Sequence, residues 1–330
     1  MNAILSLIAV IVLVLIALLG VKTANLHFLF GIVVPYAAIV IFLIGVISRV
    51  LKWGRSPVPF CIPTTCGQQK SLPWIKQSKL DNPSTTSGVI GRMLLEVFLF
   101  RSLFSNTAFE LRKGPKLAYG STRWLWLGGL AFHWSFLVVL VRHLRLFTEP
   151  VPACLSKLEV LDGFLQIGAP GLLISGVVLL LAVTYLFLRR VFIPEVRYIS
   201  LAADYFPLFL ILSIALSGII MRYFTKVDIV GVKALTLGLV SFNAAIPEGI
   251  SIVFYIHMFL VSALLAYIPF SKIMHLGGVL LSPTRNMPNN SRMERHINPW
   301  NYPVHVHTYE EYENDFREKM KSAGIPVEKE

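Results

Sequence analysis

Apolar runs at 2–21, 28–48, 124–147, 164–188, 201–222 and 250–271 alternate with polar segments along the chain. A helix of about 20 apolar residues crosses the hydrocarbon core of a bilayer, and each run meets that length. None alternates with the period of two that marks a barrel strand. The predicted fold class is an all-α integral membrane protein: a six-helix transmembrane bundle with a long loop at 49–123 and an extended tail. The first run starts at Met1 with no basic residue ahead of it and no small-residue cleavage pattern, so it is read as a span and not as a leader. The expected division is an additional N-terminal transmembrane helix at 1–27, a bundle at 28–280 and a tail at 281–330.

Composition agrees with the pattern. Hydrophobic residues make up 55% and charged residues 15% of the chain, and mean hydropathy is +0.68, far from the balance of a soluble domain. The basic residues are unevenly placed: 23 of the 30 fall at 49–123, at 189–200 and from Lys272 onward. Lysine and arginine are retained on the cytoplasmic side of a membrane, so both termini and the long loop are expected there, in a multi-pass protein of a prokaryotic cell membrane. Much of the net charge of +12 is then topology, and a nucleic-acid partner is not expected. The loop at 49–123 has only three acids against twelve bases, which suits contact with anionic headgroups or with an acidic partner.

Two segments outside the spans stand out. Val89 to Leu111 sets Arg92, Glu96 and Arg101 among Leu, Phe and Val, the pattern of an interfacial or partner-docking helix. The tail after Pro283 is polar and charged, with Trp300, Tyr302, His305 and His307, and is read as a segment that drapes over a partner. The three cysteines form no disulfide framework, since Cys61 and Cys66 fall in the loop and Cys154 on the opposite side. Two cysteines five apart supply at most half of a tetrahedral metal site, so docking, redox sensitivity and plain packing all remain open for them.

Histidine carries the candidate chemistry. His133 and His143 lie on the third span, His257 and His275 on or just beyond the sixth. A histidine inside a membrane is costly unless a partner, a water path or a metal compensates. The two spans run antiparallel, so His133 should face His275 and His143 should face His257, one pair near each membrane surface. At a rise of about 1.5 Å per residue the gaps of ten and eighteen residues cover roughly 15 and 27 Å, a mismatch that calls for tilt or a bend at Pro269. Two neutral imidazoles suit the axial positions of a haem that transfers electrons and has no open coordination site. Helix-to-helix hydrogen bonding or a proton relay is the alternative. His27, His296, His305 and His307 lie at an interface or in the tail and are read as solvated.

The stretches Phe132-His133-Trp134 through Val141-Arg142-His143, and Ile256-His257-Met258 through Ile268-Pro269-Phe270-Ser271-Lys272-Ile273-Met274-His275, resemble the dihaem cytochrome b gamma subunit of respiratory nitrate reductase. Leu188-Arg189-Arg190-Val191-Phe192 with Pro194 and Val196-Arg197 adds a third match, and the resemblance covers roughly residues 28 to 280. The first helix, the loop with Cys61 and Cys66 and the tail depart from that enzyme. They look like the M subunit of the membrane complex associated with dissimilatory sulfite reduction, a haem-containing menaquinol-oxidising complex in some archaea. The resemblance implies two haems b, with His133 and His275 on the inner iron and His143 and His257 on the outer. It implies menaquinol as substrate and a cytoplasmic iron–sulfur subunit related to heterodisulfide reductase as partner, with further membrane and outer-side redox subunits. It also implies a lysine that holds a quinone oxygen, for which Lys157 is the candidate; an interfacial lysine snorkelling outward is the alternative. Arg142 stands where nitrate reductase has a small residue, so Arg142 or Arg145 is a candidate for a haem propionate, or else a simple anchor at the helix end. The function expected is the quinol-oxidising, electron-transferring subunit of an oxidoreductase linked to sulfur respiration. A nitrate reductase-type gamma subunit and a haem-free anchor or transport subunit are the alternatives.

Overall fold

The computed structural model describes all residues except 57, 59–61, 63–66, 113–115, 294–304 and 329–330, and side chains at 108–119 are likewise outside the description. Cys61, Cys66, His296, Trp300 and Tyr302 therefore lie outside the described residues, wholly or in their side chains. The six spans are helices: α1 (Asn2–Lys22), α2 (Val34–Gly54, entered through a π turn at Leu29–Val33), then, after α3 (Thr86–Leu99) and α4 (Arg101–Ser105), α5 (Arg123–His143). After α6 (Ala153–Asp162) come α7 (Ile174–Phe192), α8 (Pro194–Ile199), α9 (Ala202–Ile219, extended by a π turn at Ile220–Phe224), α10 (Ile229–Val240) and α11 (Ile252–Tyr267). Six of these segments are long and apolar enough to cross a membrane. They bury only a minority of their surface and leave residues such as Ile8, Ile11, Leu43, Ile44 and Leu181 exposed. Apolar side chains facing outward all along a bundle are stable in lipid and not in water.

The helices run up and down, so the ends near 2, 54, 123, 192, 202 and 270 gather at one face with the long loop, here termed the loop end, opposite a far end. Polar contacts tie the loop end together: Asn2 donates to the Ser200 carbonyl at 3.0 Å and Ser6 to that of Ala202 at 2.8 Å. The far end is closed by α10, which at 12 residues is too short to span and whose N-terminus is capped by Asp228. Its Val232 and Leu235 are buried with Ala17, Val21, Phe30, Phe254 and Tyr255 in one apolar cluster. A second cluster in mid-bundle joins Val10, Val183, Leu210, Ile211, Leu260 and Leu264.

Three expectations need correction. The fourth span begins at Ile174 and not at 164, because left-handed backbone at Gln166 (φ 50°) and Gly168 (φ 82°) with Pro170 breaks the helix before it. The stretch from Val89 to Leu111 is not one helix. It ends at Phe100, whose φ of 50° is left-handed, and after α4 it becomes β1 (Thr107–Arg112), paired antiparallel with β2 (Lys116–Ser121), Thr107 opposite Ser121. Within α3 Val89, Arg92 and Glu96 are buried, while Ile90, Leu94 and Phe98 are exposed at four-residue spacing.

Finally, the tail is not wholly without structure of its own. After α12 (His275–Leu280), residues 281–293 pack on the long loop: Asn289 donates to the buried Asn82 at 2.6 Å and Arg285 pairs with Glu96 at 3.0 Å. Further on, Thr308 and Glu311 form a reciprocal capping box that starts α13 (Tyr309–Ser322), a signature readable as Thr-x-x-Glu in the sequence.

Candidate functional site

The four bundle histidines meet as two pairs. At the loop end the ring centroids of His133 and His275 are 5.9 Å apart with planes at 82°. Toward the far end, His143 and His257 are 6.4 Å apart with planes at 15°. The unequal gaps are resolved where Pro269 interrupts the sixth span. Helix α11 stops at Tyr267, two 3-10 turns at Ile268–Phe270 and Lys272–Met274 follow, and Ser271 between them is fully extended (φ −116°, ψ 176°). His275 therefore enters on α12 and not on a continuation of α11. Glycine makes room for the bend, since a Cβ at Gly45 on α2 would lie 2.6 Å from the Cβ of Pro269.

Each ring has one nitrogen already committed. Nδ1 of His133 lies 2.7 Å from the Gly129 carbonyl, Nδ1 of His143 2.7 Å from that of Val139, and Nδ1 of His275 2.9 Å from that of Lys272. Carbonyls only accept, so these three rings carry hydrogen on Nδ1 and a lone pair on Nε2. Nδ1 of His257 lies 2.9 Å from the Ser217 hydroxyl, whose oxygen is also 3.0 Å from the Ile214 carbonyl; with the hydroxyl hydrogen on that carbonyl, His257 donates from Nδ1 and has the same tautomer. All four Nε2 atoms are left available to a ligand-accepting metal, with the rings oriented by protein oxygens as metal-bound imidazoles commonly are.

A metal bonded to two imidazole nitrogens at roughly 2 Å each sets their ring centroids roughly 6 Å apart, and both pairs have that spacing. Two imidazoles alone are a poor set for a bare ion. Among the described residues, the only cluster of three or more metal-capable groups is His305, His307 and Glu311 in the tail. A haem, which brings four equatorial nitrogens of its own, is completed by a histidine pair. The donor set thus fits haem at both positions. His27 is elsewhere, its ring edge-to-face with Tyr255 at 5.1 Å.

The remaining candidates gather at the far end. Arg142 pairs with Asp162 at 2.7 Å, both side chains nearly buried, and Arg145 pairs with Glu159. The two arginines thus fasten α6 to the end of α5, directly beside His143. Asp162 also accepts from the backbone N–H and hydroxyl of Ser175 at 2.7 and 2.6 Å, which fixes the start of α7. Sequence reasoning missed Asp162, Glu159 and Ser217, because nothing in local spacing marks a carboxylate or hydroxyl whose partner is on another helix. Lys157 is exposed on α6, as is Cys154. An apolar cavity of about 260 Å³ lies between the start of α7 and the end of α9, lined by residues including Leu173, Gly176, Ile219 and Tyr223.

Residues 118–287 match the nitrate reductase gamma subunit family. That stretch includes all four paired histidines and four of the six candidate spans, those of α5, α7, α9 and α11. Over the greater part of its length the chain is also similar to two archaeal proteins described as Hdr-like menaquinol oxidoreductase cytochrome b-like subunits. One, from Archaeoglobus fulgidus, is 47% identical over 279 residues, 82% of this chain and 83% of the relative. The other, from Archaeoglobus profundus, is 45% identical over 273 residues, 81% of each chain. The chain belongs to the nitrate reductase gamma subunit family, within the group of these cytochrome b-like subunits.

Proposed function

We propose that this protein is the membrane cytochrome b of a menaquinol oxidoreductase, holding one haem b between His133 and His275 and another between His143 and His257. The observation that carries the reading is the commitment of every Nδ1 to a protein oxygen, which leaves Nε2 uncommitted in two pairs of rings whose centroids lie 5.9 and 6.4 Å apart. When bound, each haem supplies one-electron transfer without an open coordination position. The chain's part is to hold the rings in one tautomer, exclude water and set the two pairs at different depths.

The basic residues gathered at the loop end support a cytoplasmic placement of that end and of both termini. The same face presents the exposed stripe Ile90, Leu94, Phe98 and the packed tail, and is the proposed seat of a heterodisulfide reductase-like iron–sulfur subunit in sulfur respiration. Quinol is proposed to meet the far end, where Lys157 on α6 is the candidate to hold a quinone oxygen and the apolar cavity to receive part of the hydrocarbon chain. Oxidation there releases protons on the outer side while electrons leave on the inner.

A reduced-minus-oxidised spectrum of the purified protein is expected to show b-type bands, with two haems per chain by extraction. Protein without them has another function. For the quinol site, Gly176 has nothing within 4 Å of where a Cβ would stand, so Gly176→Leu fills the cavity without a clash at the first carbon. The expected result is a several-fold rise in KM for a menaquinol analogue with both haem spectra intact; an unchanged KM removes the cavity from the quinol path. Lys157→Ala is expected to slow turnover with the same spectra intact.

A further inference from the structure

Arg222 sits in the π turn that ends α9, and its Nε is buried with no hydrogen-bond partner. Its one hydrogen bond is from a terminal nitrogen to the Gly171 carbonyl, long at 3.4 Å. A buried guanidinium nitrogen without an acceptor costs free energy comparable to a lost charged hydrogen bond. The neighbouring acids do not meet the need: Asp162 is taken by Arg142 and Ser175, and Glu159 by Arg145. Arg222 has no carboxylate partner among the described residues, although it lies within electrostatic reach of Arg142. Three guanidiniums thus converge on this end against two committed carboxylates.

The position of Arg222 indicates what the missing acceptor belongs to. Gly218, one helical turn earlier on α9, places its Cβ direction 3.5 Å from Cε1 of His257, and the next residue back, Ser217, holds that ring's Nδ1. Arg222 lies four residues further along the same segment, within the π turn, and within electrostatic reach of Arg142, the residue before His143.

We infer that Arg222 binds a carboxylate of the group held between His143 and His257, as the propionate anchor of the far-end haem, in place of Arg142 and Arg145, whose charges are spent on α6. This rests on the bis-histidine haem reading of that pair. A lipid phosphate offers similar chemistry, but it would leave the haem potential unmoved when the arginine is lost. A positive charge on a propionate favours the reduced haem, because reduction adds negative charge beside it.

The test is a redox titration of the b-type absorbance in purified full-length protein, with haem content measured in the same samples. Arg222→Gln is expected to lower the midpoint of one component by about 59 mV, a tenfold change in the reduced-to-oxidised ratio at fixed potential. That component should be the one retained in His133→Ala, and Arg222→Lys, which keeps the charge, should recover part of the shift. Wild-type protein without haem overturns the bis-histidine reading and this assignment with it. Two haems in every sample and unchanged midpoints in both Arg222 variants overturn the assignment alone.

Discussion

Alanine at His257 or His143 is expected to remove one b-type haem and leave the other, halving the haem extracted per chain; alanine at His133 or His275 is expected to remove the complementary one. The effect should be near-complete because each iron of the proposed pair would have only two protein ligands, and loss of either leaves the partner ring alone in apolar surroundings. The two haems should be separable spectroscopically, since the planes of His133 and His275 cross at 82° whereas those of His143 and His257 lie 15° apart. Ligand-plane angle alters the electronic asymmetry at iron, so low-temperature paramagnetic resonance of the four single variants sorts them into two classes. If His133→Ala and His143→Ala lost the same signal, the pairing across α5 and α11–α12 would be wrong. Ser217 offers a gentler variant of the same experiment: it touches only the Nδ1 side of His257.

Asp162→Ala should be the most damaging change outside the histidines. Its carboxylate neutralises Arg142 and accepts two hydrogen bonds from Ser175, with only 5% of its side chain exposed. Removing one member of a buried ion pair strands the other charge, at a cost of about 3–5 kcal/mol. The start of α7 would lose its anchor at the same time, and Arg145 with Glu159 would be the ion pair left between α6 and the end of α5. Thermal unfolding in detergent should show a clearly lowered midpoint for Asp162→Ala and a smaller loss for Asp162→Asn, which keeps an acceptor for the Ser175 N–H. The far-end haem should be lost first on heating, because His143 is the residue after Arg142. A melt indistinguishable from wild type would show that the pair is solvated and of little consequence.

Much of this architecture could be read from residues in order. Hydrocarbon thickness makes an apolar run of a given length a span whatever surrounds it, so the six crossings and their alternating direction follow from local composition. The direction in turn pairs His133 with His275 and His143 with His257, as the structure shows. Where the sequence misleads, the cause is a backbone event without an apolar signature. Phe100 in left-handed conformation ends α3, and left-handed Gln166 keeps the chain out of helix before α7, where hydrophobicity alone would run helix through. The short helices α6 and α10 fell below the length that marks a span, and are visible only as elements packed on the bundle.

What the sequence by itself determined is therefore the class of fold, the number of crossings and which histidines face one another, because bilayer solvation acts on each segment independently. The tertiary structure decided which nitrogen of each ring is free, that Pro269 and Ser271 turn the chain so that His275 reaches His133, and that Arg142 and Arg145 are bound to acids on α6 while Arg222 is not. Those facts depend on hydrogen bonds and ion pairs between helices far apart in the chain, whose partners are chosen by packing and leave no periodic trace along it.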